Sequence, residues 1–93
     1  MITVEATFHG KVQNVGFRAT IRRYALHYNL KGYVTNKKDG SVMVIAQGAQ
    51  ETLDDFLASI KNYPRGARIK ESTFKSIDNK EIFSNFAIRP DLS

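Results

Sequence analysis

Ninety-three residues with 42% hydrophobic and 11% aromatic side chains have the composition of one globular unit with a small core, so residues 1–93 are expected to fold as a single domain. Fourteen Lys and Arg against nine Asp and Glu leave a net charge of +5, which favours an anionic partner, yet the basic residues are scattered and form no run that reads as a nucleic-acid tail. The chain has no cysteine, which excludes disulfides and thiolate chemistry, and no apolar stretch approaches the roughly 20 residues needed to span a bilayer.

The opening MITVEATF lacks the charged, apolar and small-residue regions of a signal peptide, so a cytoplasmic location is expected. Ile2, Val4, Ala6 and Phe8 alternate with Thr3, Glu5 and Thr7, which predicts a strand with one buried face, ending at Gly10. From Phe17 the apolar spacing changes. Phe17, Ile21, Tyr24, Ala25 and Tyr28 form the stripe of an amphipathic helix, and Asn29, Leu30, Lys31 and Gly32 supply its stop. KGYVTN and SVMVIAQG flank KKDG, and Asp39-Gly40 between two β-branched runs predicts an antiparallel hairpin. The segment ETLDDFLASIKNY places Leu53, Phe56, Leu57 and Ile60 at helical spacing, with acidic residues early and Lys61 late, and this second helix should end before Pro64. ARIKESTFKSI has a broken alternation that predicts a strand with a bulge, and Phe86 and Ile88 mark a last short strand.

The order β-α-β-β-α-β places two helices on one face of an antiparallel sheet, with a short extra strand near the C-terminus. This is an α+β, two-layer α/β sandwich of the ferredoxin-like type. Phe8, Tyr33 and Phe86 are expected in the core. The opposite sheet face, with Thr3, Glu5 and Thr7, is expected to meet water.

GKVQNVGFR, residues 10–18, runs from the first strand into the first helix. Such a loop presents unpaired N–H groups and the positive end of a helix dipole, and glycines let its backbone curl around an anion. The spacing is neither G-x-G-x-x-G nor a Walker loop, since Phe17 follows Gly16 where Lys would stand. Arg18 adds a planar cation able to grip two phosphate oxygens. Two readings stay open on pattern alone: a phosphate-holding loop, or turn glycines beside a solvent-facing Arg. By itself Asn36 reads as a hairpin shoulder and Asp39 as a turn former. His9 and His27 lack companions at metal-ligand spacing and read as surface or helix-packing residues, so no metal and no cofactor is expected.

GKVQNVGFR together with GYVTNKKDGSV, residues 32–42, resembles the signature pair of the acylphosphatase family, roughly G-x-V-Q-G-V-G-F-R and, after one helix, G-[WY]-V-x-N-x-x-D-G-x-V. The likeness extends to Gly48, the Phe56 helix, Pro64 and the closing F-x-I, and the family's fold is the sandwich already reached. It implies hydrolysis of acyl phosphates to carboxylate and inorganic phosphate. The implied phosphate loop comprises Gln13, Asn14, Val15, Gly16, Phe17 and Arg18, with Arg18 gripping phosphate and Asn36 orienting the attacking water. It further implies a small-molecule acyl phosphate partner, inhibition by product phosphate, no metal and a monomer. Asn14 stands where the family usually has Gly, and Asn is the non-glycine residue that enters positive φ at least cost. Tyr33 replaces the more usual Trp, and Pro90-Asp91-Leu92-Ser93 runs past the point where many members stop.

Three rivals are weighed. A phosphate- or anion-binding module of this fold without catalysis is the alternative. RNA recognition is disfavoured because SVMVIAQG offers no aromatic stacking platform. Similar domains stand at the front of large carbamoyl-transferring maturation proteins, whose zinc fingers need cysteines that this sequence lacks.

Overall fold

The computed structural model describes residues 1–62, 68–78 and 81–91. Its elements are β1 (Ile2–Lys11), α1 (Phe17–His27), β2 (Lys31–Asn36), β3 (Val42–Gly48), α2 (Gln50–Lys61), β4 (Arg68–Ile77) and β5 (Phe86–Ile88). The strands lie in the order β4-β1-β3-β2-β5. The β1–β3, β1–β4 and β2–β3 pairs are antiparallel, as expected, but β5 runs parallel to β2. A mixed sheet follows because the chain leaves β4 at one edge and enters β5 at the other, held there by the Gly32 N–H on the Asn85 carbonyl at 2.8 Å and the Arg89 N–H on the Val34 carbonyl at 2.9 Å. Parity and composition carry no such directional information.

The core forms because each element has one apolar face. Val4, Ala6 and Phe8 of β1, with Val42, Val44 and Ala46 of β3 and Val34 of β2, meet Phe17, Ile21 and Ala25 of α1 and Leu53, Phe56 and Ile60 of α2 in one buried cluster. Aromatic edges tie the layers together: Phe17 stands on Phe8 at 5.6 Å between centroids, and Phe56 on Phe86 at 6.3 Å. Burying each such ring stabilises by roughly 1.5–3 kcal/mol, so these rings fix the helices on the sheet more firmly than any exposed ion pair. Helix α1 closes where the sequence predicted. Asn29 takes φ 59 and the Leu30 N–H reaches back to the Ala25 carbonyl at 2.9 Å. The turn at Pro64 lies outside the described residues.

Three further expectations are corrected. Strand β1 does not stop at Gly10, because a bulge in β4 keeps the pairing alive: His9 faces Glu71 and Gly10 faces Ile69, leaving Lys70 as the extra residue. Gly10 has φ 128, and any Cβ there would strike the Arg68 carbonyl, so the glycine permits close approach rather than strand termination. Tyr33 is half-buried outside the core. It lies on the outer sheet face, with Phe83 edge-on at 5.8 Å and the Arg89 guanidinium stacked 3.8 Å from the ring centre. Thr3 and Thr7 on that face are buried. Over Thr3, Gln47 donates to the Thr3 hydroxyl at 3.1 Å and to the Glu81 carbonyl, and it accepts the Phe83 N–H at 3.0 Å. A returning segment thus roofs one end of the face. Glu5 remains half-exposed, paired with Lys75 at 3.3 Å across β1 and β4.

Candidate active site

The loop from β1 into α1 is set by two buried anchors and two left-handed residues. Val12 and Phe17 are almost completely buried, so they pin both ends of the loop to the core. Between them the exposed Asn14 adopts φ 62 and Gly16 adopts φ 78. The Asn that departs from the family pattern therefore occupies the one kind of backbone conformation that Asn tolerates better than other side chains. Gly16 is the N-cap of α1, and a Cβ there would meet nothing within 4 Å, so positive φ alone calls for glycine.

The start of α1 breaks the usual helix rules. Gly16 offers no side-chain cap, no acidic residue stands in the first turn, and Arg18 occupies that turn instead. A cation here opposes the macrodipole by roughly 0.3–1 kcal/mol, and the N-cap itself makes no side-chain hydrogen bond to the first turn. Local rules are broken in this way at functional or strained positions. The hydroxyl and N–H of Thr20 both bond the Gly16 carbonyl at 3.2 Å, which holds the turn in shape.

A cavity of about 160 Å³ opens at this helix end. Asn14, Gly16 and Arg18 form its polar side, and Val12, Ala19 and Ile88 its apolar side. Arg18 Nη1 meets Asp91 Oδ1 at 3.3 Å, with the two side chains 34% and 65% exposed. Asp91 is brought there by a strap running on from β5: the Thr35 hydroxyl donates to the Pro90 carbonyl at 2.8 Å. Neither Ile88 as a cavity wall nor Asp91 as a partner of Arg18 was read from the sequence. Ile88 carried only a strand signal, and nothing local to Asp91 points to a residue 73 positions away.

Asn36 is the last residue of β2 and pairs with Val42. Parity places its side chain on the helix-facing side with Val34, and it is 3% exposed. Its Oδ1 is buried and has no hydrogen-bond donor among the described residues. Asn36 does not line the cavity with Arg18, but the two share one end of the sheet, since Val42 pairs with Phe8 of β1 on one side and Asn36 of β2 on the other. Gln13 joins these halves, its Nε2 donating to the Lys37 carbonyl at 2.8 Å and the Ser41 carbonyl at 2.9 Å.

The hairpin beyond Asn36 is braced by Asp39, whose carboxylate accepts the Ser41 hydroxyl and the Ser41 N–H, and these bonds hold its pKa below the ordinary carboxylate value. Nearby Lys37 and His9 lower it further. Asp39 is thus the turn former that was expected. His27 sits edge-on to Tyr28 at 5.1 Å on α1, and His9 pairs opposite Glu71 on the sheet, so both histidines are accounted for by packing and surface positions.

Known proteins agree with this architecture. The family model described as Acylphosphatase matches residues 4–88. An acylphosphatase of Archaeoglobus fulgidus is 39% identical over 87 residues, spanning 88% of this chain and 98% of that protein. The crystal structure of acylphosphatase from Bacillus subtilis superposes with a TM-score of 0.90 at 28% identity, over 96% of this chain and 99% of that one. Full-length HypF in its phosphate- and nucleotide-bound form matches with a TM-score of 0.88 at 29% identity, over 97% of this chain but 12% of its own length. With its fold, its paired motifs and these relatives in agreement, the chain belongs to the acylphosphatase family of enzymes.

Proposed function

We propose that this chain hydrolyses acyl phosphates by direct attack of water on phosphorus, with phosphate held by Arg18 and the backbone N–H groups of residues 13–18, and with the water oriented by Asn36. The observation that carries this reading is the start of α1, where an uncapped helix end, free of acidic residues, carries a cation in its first turn beside an open cavity. Asn36 supports it with a buried amide oxygen that no protein donor satisfies among the described residues, an acceptor suited to a water O–H.

The chemistry asks little more of the protein. An acyl phosphate is an activated anhydride. As the water oxygen bonds to phosphorus, the bond from phosphorus to the acyl oxygen breaks, a carboxylate departs with its electron pair, and the water proton passes to a phosphate oxygen of the substrate. Positioning and stabilisation of the equatorial oxygens then supply the acceleration, without a covalent intermediate, a protein general base or a metal. The proposal further takes the chain as a monomer acting on a small-molecule substrate, with product phosphate competing for the same loop.

Release of inorganic phosphate from benzoyl phosphate in the presence of a chelator tests it. Activity is expected with chelator, with competitive inhibition by phosphate and little change in rate near neutral pH. Arg18→Ala and Asn36→Ala should each lower turnover by about 100-fold or more. Undiminished turnover in Arg18→Ala refutes the mechanism. Phosphate binding without any turnover would instead favour an anion-binding module.

A further inference from the structure

Building on the hydrolytic reading above, we propose that Gln13 is a positioning residue whose side chain, rather than holding phosphate, fixes the spacing between the phosphate loop and Asn36. Strand β3 lies between β1 and β2, so the end of β1 and Asn36 stand two strand spacings apart, roughly 10 Å. In-line attack requires phosphorus held at one of these places and water held at the other to meet with sub-ångström tolerance. The side chain of Gln13 ties the loop to the hairpin that follows Asn36.

Its amide nitrogen has two hydrogens, and the Lys37 and Ser41 carbonyls take one each at 2.8 and 2.9 Å. No N–H of the side chain is left for a phosphate oxygen, and its Oε1 is an acceptor that would repel one. The two carbonyls are a firm anchor. The Lys37 N–H bonds the Ser41 carbonyl at 2.9 Å, the Gly40 N–H bonds the Lys37 carbonyl at 3.1 Å, and Asp39 holds Ser41 from outside. Lys37 directly follows Asn36, so one amide ties the loop that bears Arg18 to the residue beside the water-orienting side chain. Asn36 Oδ1, buried and without a protein donor among the described residues, can aim a water usefully only if the phosphorus is delivered at a fixed distance from it.

The test is steady-state kinetics on benzoyl phosphate, with inorganic phosphate as inhibitor, for Gln13→Ala and Gln13→Glu, and with folding followed by circular dichroism and thermal melts. Both variants are expected to lose about 10- to 100-fold in kcat, and in the uncharged Gln13→Ala the inhibition constant of phosphate stays within about threefold, whereas the added carboxylate of Gln13→Glu also repels phosphate. Gln13→Glu adds a readout that loss of structure would not mimic. Its carboxylate has no donor, but once protonated it regains one O–H. Its rate relative to wild type should therefore rise as pH falls from 7 towards 5. If Gln13→Ala does not fold, Gln13→Met keeps the length without the donors and should show the same loss of kcat. Unaltered kcat in the folded variants overturns the proposal, as does phosphate inhibition weakening in step with kcat in the uncharged Gln13→Ala or Gln13→Met, or a Gln13→Glu to wild-type ratio that does not change with pH. An inactive wild type would overturn the hydrolytic reading itself, whereas an active wild type beside equally active Gln13 variants overturns this inference alone.

Discussion

Replacing Asn14 probes the loop at its least ordinary residue. Its φ of 62 lies in the left-handed region, where a Cβ-bearing residue is disfavoured by roughly 1–2 kcal/mol and Asn escapes part of that strain. Asn14→Ala forfeits the exemption and should destabilise the chain by about 1 kcal/mol, which for a domain of this size is a fall of about 4–8 °C in Tm. Asn14→Gly removes the remaining strain but frees the unfolded chain, an opposing term of about 0.4–1 kcal/mol, so its stability should stay within about 0.5 kcal/mol of wild type. Asn14→Val, branched at Cβ, should be the least stable of the series. Asn14 is exposed, so truncating its side chain gives up little packing that could confuse the ranking. Urea denaturation at constant m, with thermal melts beside it, reads the order directly. Because Gly keeps the loop's left-handed turn and its backbone N–H, the Gly variant should also keep its turnover. An Ala variant as stable as wild type, or a Gly variant less stable than Ala, would refute the left-handed assignment and the account of why Asn stands there.

Gly32 has φ 140, and a Cβ there would run into the Ile45 carbonyl of the neighbouring strand, so Gly32→Ala should destabilise by about 3 kcal/mol and be plain in a thermal melt. Folding lowers the pKa of Asp39, so its carboxylate stabilises the native state above the ordinary value of about 3.9 and loses that contribution as pH falls below it. Stability measured at pH 6 and pH 3 should therefore decline less in Asp39→Asn than in wild type. Asp91→Asn removes a single exposed contact of 3.3 Å and should change stability by less than about 1 kcal/mol, while phosphate inhibition tightens as the Arg18 guanidinium is freed of an internal anion, most visibly at low salt.

Wherever a periodic pattern met a long element, the fold was legible in the sequence. Leu53, Phe56, Leu57 and Ile60 all fell on the buried face of α2, and the Asp39-Gly40 turn joined β2 to β3 as its residues required. The errors came from residues whose surroundings are supplied by distant chain. Tyr33 looked like core because it is aromatic in a β-branched run, but parity put it on the outer face, where Phe83 and Arg89 give it a second surface. Thr3 looked wet because it is polar, but Gln47 carries the returning segment across it. At the site, the loop and Arg18 could be read from local spacing and from family likeness. Asn36 could be placed on a hairpin, yet its burial depends on packing from outside that hairpin. The side-chain bonds of Gln13 and Asp91 span 24 to 73 residues, a range over which no local pattern constrains a contact.

The irregular pairing opposite His9 and Gly10 has one more effect. Strand β4 is ten residues long and forms one edge of the sheet, largely exposed, and such an edge is a template on which another unfolded or misfolded chain can add a strand. The extra Lys70 breaks the even run of its outward N–H and C=O groups, and its charge lies on the edge together with that of Lys75. The offset that lets β1 continue through Gly10 thereby makes this edge a less regular template for a second molecule.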